Sequence, residues 1–161
     1  MGIFSLVPEM HNNDEQAAKM FLQELEIDVL ARTLYGEARS EGQAGMEAVA
    51  HVILNRVQHA QRQGGRFWWG HNIITVCQMP YQFSCWNPGD PNRAKLMSVD
   101  ADDIYFATCL RIARRAVYGL LGDDSTFGAD HYHTVHVAPY WSKGKTPVVQ
   151  IGDHVFFRLE N

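Results

Sequence analysis

The segment "GQAGMEAVAHVILNRVQHA", residues 42–60, constrains the fold more than any other part of the chain. Met46, Val49, Ala50, Ile53, Leu54 and Val57 follow i, i+3, i+4, i+7 spacing, which gathers them on one face of an α-helix. A stripe this continuous needs cover from several neighbours. A helix from about Gln43 to Ala60 is therefore predicted to be the central buried element. At 161 residues the chain is long enough to bury a core around that helix without metals or disulfides.

The flanking segments supply the cover. Asn13 followed by Gln16 resembles a capping box, and Ala18, Phe21, Leu22 and Leu25 repeat at helical spacing behind it. A second helix is predicted from about Ile27 to Arg39, with Ile27, Leu30, Ala31, Leu34 and Ala38 on one face. Residues 64–93 lose helical periodicity and collect Gly, Pro and aromatic residues. Helix resumes near Ala101 and ends near Gly122, with Phe106, Cys109, Leu110, Ala113, Val117, Leu120 and Leu121 as its buried stripe. "HYHTVHVA" alternates as a strand does, and "VVQIGDHVFFR" reads as a hairpin turning at Gly152–Asp153. The expected architecture is one α+β domain over residues 1–161, mostly helical, with a small antiparallel sheet at its C-terminal end.

Composition narrows the partners. A formal net charge of −4 gives no basic face for nucleic acid, whereas a carbohydrate needs hydrogen bonds and stacking more than charge. No apolar run reaches the length of a membrane span. Residues 1–16 lack the charged, apolar and cleavage regions of a secretory signal, and "MGIFSL" has no Ser or Thr at position 6 for myristoylation. The three cysteines have no zinc-like spacing, so reduced thiols of a cytoplasmic chain are expected. Cys109 is predicted to be buried in a helix, while Cys77 and Cys85 flank one loop and could pair under oxidising conditions.

Four features bear chemistry. Glu37 lies three residues after Leu34 and seven after Leu30, beside the apolar stripe of its helix. Desolvation there raises a carboxyl pKa and keeps the proton available for general acid catalysis. The plainer reading is a half-buried glutamate paired with Arg39 or Arg56. Glu41 is either a substrate contact or a carboxylate at the N-terminus of the next helix. Glu47, His51 and Asn55 share a polar flank and are expected to be solvated or structural.

The stretch "RFWWGHNIITVCQMPYQFSCWNPGD" mixes Phe67, Trp68, Trp69, Tyr81, Phe83 and Trp86 with amides and hydroxyls. Such a surface suits a sugar, and equally a loop pinned by aromatic anchors. In "HYHTVH", His131 and His133 share a strand face, and with His154 on a neighbouring strand they could supply three zinc ligands. No HExxH accompanies them, so histidines lining a polar cleft are the favoured reading and no metal is expected.

In chain order, "LARTLYGEARSEGQAGMEAVAHVILNRV", "QFSCW", "ADHYHT" with Pro139 and Trp141, and "IGDHVFF" resemble the SleB-like cell wall hydrolase family, the family of spore cortex-lytic catalytic domains. The resemblance spans about residues 27–158. It implies a lysozyme-like fold and cleavage of peptidoglycan between N-acetylmuramic acid and N-acetylglucosamine, as lytic transglycosylases do, with no cofactor. By motif, Glu37 is the implied catalytic acid; Gln82, Phe83, Ser84 and Trp86 match the QFS-W segment. Tyr132, His133 and Trp141 match the segment closing the cleft, and Glu41 is carried with the substrate-binding residues. Ser40 stands where the family usually has glycine, and Phe157 where tyrosine is common.

A compact wall hydrolase without a signal peptide resembles a phage endolysin. That resemblance implies a monomer that collects in the host cytoplasm and reaches the periplasm and wall once the membrane is permeabilised, without inserting in it. Three alternatives stay open. A hydrolysing muramidase would need a positioned water or a second carboxylate, for which Asp100 and Asp130 could approach in the fold. A zinc-dependent wall amidase or peptidase would use the histidines. A lectin-like module would bind glycan without cleaving it.

Overall fold

The computed structural model describes residues 6–160, with side chains from residue 12 onward; the readings of "MGIFS" lie outside the described residues. The first helix, α1, runs unbroken from Leu6 to Ala38. The capping box expected at Asn13 is thus helix interior, and the helix predicted from Ile27 is the second half of the same element. No glycine or proline occurs between Pro8 and Gly36 to break it. Met20, Phe21, Leu22 and Leu25 in the first half are exposed. Burial begins at Ile27 and continues through Leu30, Ala31, Leu34 and Ala38, the stripe expected from their spacing.

A short 3₁₀ turn, Arg39–Glu41, leads into α2, Gly42–Arg62. This is the central helix, as its apolar pattern requires. Met46, Val49, Ala50 and Ile53 are buried against α1, and on the other side Ala48 and Val52 pack with Ala129 and Phe156 beneath the sheet. Fully burying each of the larger aliphatic chains contributes roughly 2 kcal/mol. His51 is also buried, and Asn55 donates to Asp124 and to the Ala129 carbonyl, so that flank is structural rather than solvated.

The aperiodic stretch holds a six-residue helix, α3, Ile73–Gln78, started by a reciprocal cap between Asn72 and Thr75. A 3₁₀ turn at Ser84–Trp86 and α4, Pro91–Ser98, follow. The next helix, α5, spans Ile104–Val117, shorter at both ends than expected. The Asp103 carboxylate accepts from the amides of Tyr105 and Phe106 and fixes the start. Leu120, expected in the stripe, is exposed beyond the helix end.

Three short strands complete the fold: β1, His131–Thr134, β2, Val149–Ile151, and β3, His154–Phe157. They form an antiparallel sheet in the order β1-β3-β2, with the hairpin turn at Gly152–Asp153 as predicted. β1 stops at Thr134, before the full "HYHTVHVA" alternation, because the Val137 amide turns back to the Thr134 carbonyl. The α+β expectation is met. No helix among the described residues is long and apolar enough to cross a membrane.

Candidate functional site

Glu37 lies in the last turn of α1, where three elements converge on its carboxylate. Oε1 accepts from the Cys85 amide at 3.4 Å, and Oε2 accepts from the Tyr132 hydroxyl at 3.0 Å. Gly36 makes the first contact possible. A Cβ there would stand 2.6 Å from the Cys85 Cβ and 2.8 Å from its Sγ. Only a hydrogen at that position lets the Ser84–Trp86 turn lie against the helix.

Burial is the main influence on Glu37 and pushes its pKa above the ordinary glutamate value. Hydrogen bonds from Cys85 and Tyr132 pull the other way, and the negative charge of Asp90 adds to the rise. No arginine pairs with the carboxylate: Arg39 donates to the Tyr35 carbonyl and to Asn92, and Arg56 to the Asp130 carbonyl and to Gln82. The ion-pair alternative for Glu37 is thereby corrected. A glutamate held off any cation, with a raised pKa, is suited to carrying a proton near neutral pH.

The carboxyl faces a cleft of about 230 Å³ lined by Arg56, Gln82, Phe83, Ser84, Tyr132, His133, Thr134 and His154. Gln82, Phe83, Ser84, Tyr132 and His133, expected at the site from the sequence, are there together with Glu37. Phe83 is buried and serves as the floor, while Ser84 is exposed at the rim. Arg56, Gln82 and Tyr132 are shared with a second compartment of about 330 Å³, which adds Trp68, Tyr81, His131 and Trp141. Trp141 therefore belongs to the extension of the groove.

Two expected residues lie elsewhere. Trp86 is half-buried against the core, and its Nε1 donates to the Thr33 hydroxyl at 2.9 Å, bracing the turn that carries Cys85. Glu41 accepts from the Asp153 amide at 3.0 Å and clamps the β2–β3 turn. A Cβ on Gly152 would collide with that carboxylate. Neither residue lines the cleft.

Arg56 and Thr134 join the lining without being expected there, and His154 lines it as the favoured reading of the histidines has it. Arg56 was visible in the helix register, seven residues after Val49 and three after Ile53 on the buried stripe. The residue is 5% exposed, its guanidinium packs over Trp69 and Phe83, and burial lowers its pKa to about 10, which leaves it charged at neutral pH. His154 is buried, its Nδ1 finds no hydrogen-bond partner among the described residues, and burial lowers its pKa. A neutral imidazole beside the cleft follows.

The zinc trio fails on register. Thr134 pairs with His154 and His133 with Val155, so His154 shares a face with Tyr132 while His131 and His133 occupy the opposite one. The Tyr132 ring stacks at 4.9 Å from His154, and His133 at 5.3 Å from Phe157. Among the described residues no group of three or more His, Cys, Asp or Glu side chains could hold a metal ion. Asp130 accepts from the amides of Leu159 and Glu160 and contacts the His131 ring, and it does not line the Glu37 cleft. Asp100 accepts from Asp102 on an exposed turn.

The helical layer, the C-terminal sheet and the Glu37 carboxyl in the groove between them have the arrangement of a SleB-like catalytic domain. The fold matches the crystal structure of the catalytic domain of the Bacillus cereus SleB protein, with a TM-score of 0.58 and 27% identity over 81% of this chain and 88% of that one. The chain belongs to the Cell Wall Hydrolase family, whose model matches residues 40–157. The match begins after Glu37, so that residue's place rests on the geometry above. The chain is also 31% identical over 133 residues to a spore cortex-lytic enzyme of Halalkalibacterium halodurans, covering 81% of this chain. It spans 34% of that relative's length.

Proposed function

We propose that this domain cleaves the glycan strand of bacterial peptidoglycan between N-acetylmuramic acid and N-acetylglucosamine, as a lytic transglycosylase. Glu37 is the acid that protonates the glycosidic oxygen. The resulting carboxylate then takes the proton of the muramyl 6-hydroxyl as that oxygen attacks the anomeric carbon, giving a 1,6-anhydro product. Protons balance, and no water is consumed.

One observation carries the choice: among the described residues Glu37 is the sole carboxylate lining the cleft. Two-carboxylate glycosidases flank the bond with an acid and a nucleophile or base. A single group that gives and then takes a proton does not need the second. The raised pKa suits the first step, and the Tyr132 and Cys85 donors suit the second by stabilising the carboxylate that forms. The family membership and the cortex-lytic relatives support the substrate. Peptidoglycan turbidity loss by the parent chain, and its absence in a folded Glu37→Gln variant, tests the reading.

The endolysin role belongs to the same proposal and rests on the resemblance to compact phage enzymes. Expressed alone in a Gram-negative host, the chain should cause little lysis, and chloroform should clear the culture. Prompt lysis without permeabilisation would contradict that role and leave the glycan-cleaving reading intact.

A further inference from the structure

Tyr81 occupies a backbone conformation that a tyrosine rarely adopts. Its φ is 65°, and the Gln82 amide donates to the Met79 carbonyl at 3.1 Å, closing a turn with Pro80 at its second position. This is the pattern of a type II turn, whose third position normally holds glycine because φ there is positive. The chain places a tyrosine there instead. The residue is 85% exposed, and among the described residues no hydrogen bond or ring stack engages its side chain. Packing does not explain the residue. Strain of this kind collects at binding sites.

The surroundings indicate what is bound. Tyr81 lines the groove extension with Trp68, which is 52% exposed although its neighbour Trp69 is completely buried. Arg56, Gln82, His131 and Trp141 share that compartment, which supplies hydrogen-bonding groups beside flat aromatic faces. This combination fits a pyranose, whose C–H face stacks on a ring while its hydroxyls meet polar side chains. The compartment continues the Glu37 cleft through Arg56, Gln82 and Tyr132.

Resting on the glycan-cleaving reading, we propose that Tyr81 and Trp68 form an aromatic subsite for a sugar of the strand beyond the one engaged at Glu37. The turn at Met79–Gln82 holds the tyrosine ring out over the groove, and a longer strand gains contact there that a short one does not.

The test uses the full chain carrying Glu37→Gln, with two probes: a hexasaccharide of alternating N-acetylglucosamine and N-acetylmuramic acid without stem peptides, and the corresponding disaccharide. Tyr81→Gly suits the turn and removes only the ring, so its melting temperature should be no lower than that of its parent. Hexasaccharide affinity should fall about 5- to 10-fold in Tyr81→Gly and again in Trp68→Ala, with disaccharide affinity unchanged. Unchanged hexasaccharide affinity overturns the proposal. So does a loss accompanied by a lower melting temperature of Tyr81→Gly, which would make Tyr81 structural. With the same hexasaccharide carrying its stem peptides as a third probe, a loss seen there alone would assign the compartment to peptide and overturn the sugar subsite. Turbidity assays of the parent and of Glu37→Gln report on the catalytic reading separately, so the two can fail independently.

Discussion

The Tyr132 hydroxyl donates to Oε2 of Glu37 at 3.0 Å, joining strand β1 to the end of helix α1 across 95 positions of sequence. Burial favours the protonated carboxyl and this hydrogen bond favours the ionised one, with burial the larger influence. The phenol tempers the rise and holds the carboxylate in a fixed orientation.

Removing that donor should therefore raise the Glu37 pKa further. In Tyr132→Phe the alkaline limb of kcat/KM against pH, which reports loss of the general acid, is expected to move to higher pH. The measurement is turbidity loss of purified peptidoglycan over a pH series. An unmoved limb would show that Tyr132 does not set the proton affinity of Glu37.

Glu37→Gln should lower activity by about two to four orders of magnitude. Its stability should move the other way. A raised folded-state pKa means that the native chain binds the proton more tightly than the unfolded chain. Ionisation therefore costs stability, absent below the ordinary glutamate value of 4.5, growing as pH rises through the folded pKa and constant above it. Glutamine carries no such cost. The variant is expected to melt above the parent at neutral and alkaline pH, with the gap narrowing at acid pH. A melting difference independent of pH would contradict the assignment of the raised pKa.

Arg56→Ala removes a guanidinium that donates to the Asp130 carbonyl at 2.7 Å and to Gln82 at 3.2 Å, between Trp69 and Phe83. It leaves buried acceptors unpaired and a void in the cleft floor, so a loss of about 2–4 kcal/mol is expected in urea unfolding. A loss below about 0.5 kcal/mol, as for ordinary surface sites, would show that the cleft floor does not depend on it.

How much of this was legible in the sequence depended on whether the signal was periodic. The stripes of α1 and α2 are periodic and were readable, because burial on one helix face must recur at helical spacing. Continuity of α1 was not: Asn13 and Gln16 have the residue types of a cap, and only the neighbouring chain decides whether a helix starts or passes through. The six residues of α3 are too few to show a period, although Asn72 and Thr75 held its capping signal. Glu37 was legible as a polar residue beside an apolar stripe. The zinc alternative stayed open in the sequence because strand pairing, which sets the face of His154 relative to His131 and His133, is not written in either strand alone. Glu41 and Trp86 matched motifs whose work here is to hold the hairpin and the Cys85 turn. Trp68 and Tyr81 stand in a stretch of sugar-suited aromatics, but nothing in composition separates them from the buried Trp69 and Phe83.

The cysteines give a prediction independent of catalysis. All three are free and buried, and burial pushes Cys77 and Cys109 up to about 12 and Cys85 higher still. Thiolate is the reactive form, so a thiol-titrating reagent at neutral pH should leave the native chain unmodified. All three thiols should react once the chain is unfolded in denaturant. Rapid labelling of Cys85 in the native state would mean that the turn beside Glu37 opens readily.

The central claim is that one carboxyl, Glu37, both gives and takes the proton at the glycosidic bond. The most direct measurement is the mass spectrum of muropeptides released from purified peptidoglycan by the parent chain. Fragments ending in 1,6-anhydro-muramic acid, lighter by one water than the hydrolytic product, are expected. Fragments that all end in a reducing muramic acid would contradict the claim and require a positioned water or a second base in the cleft.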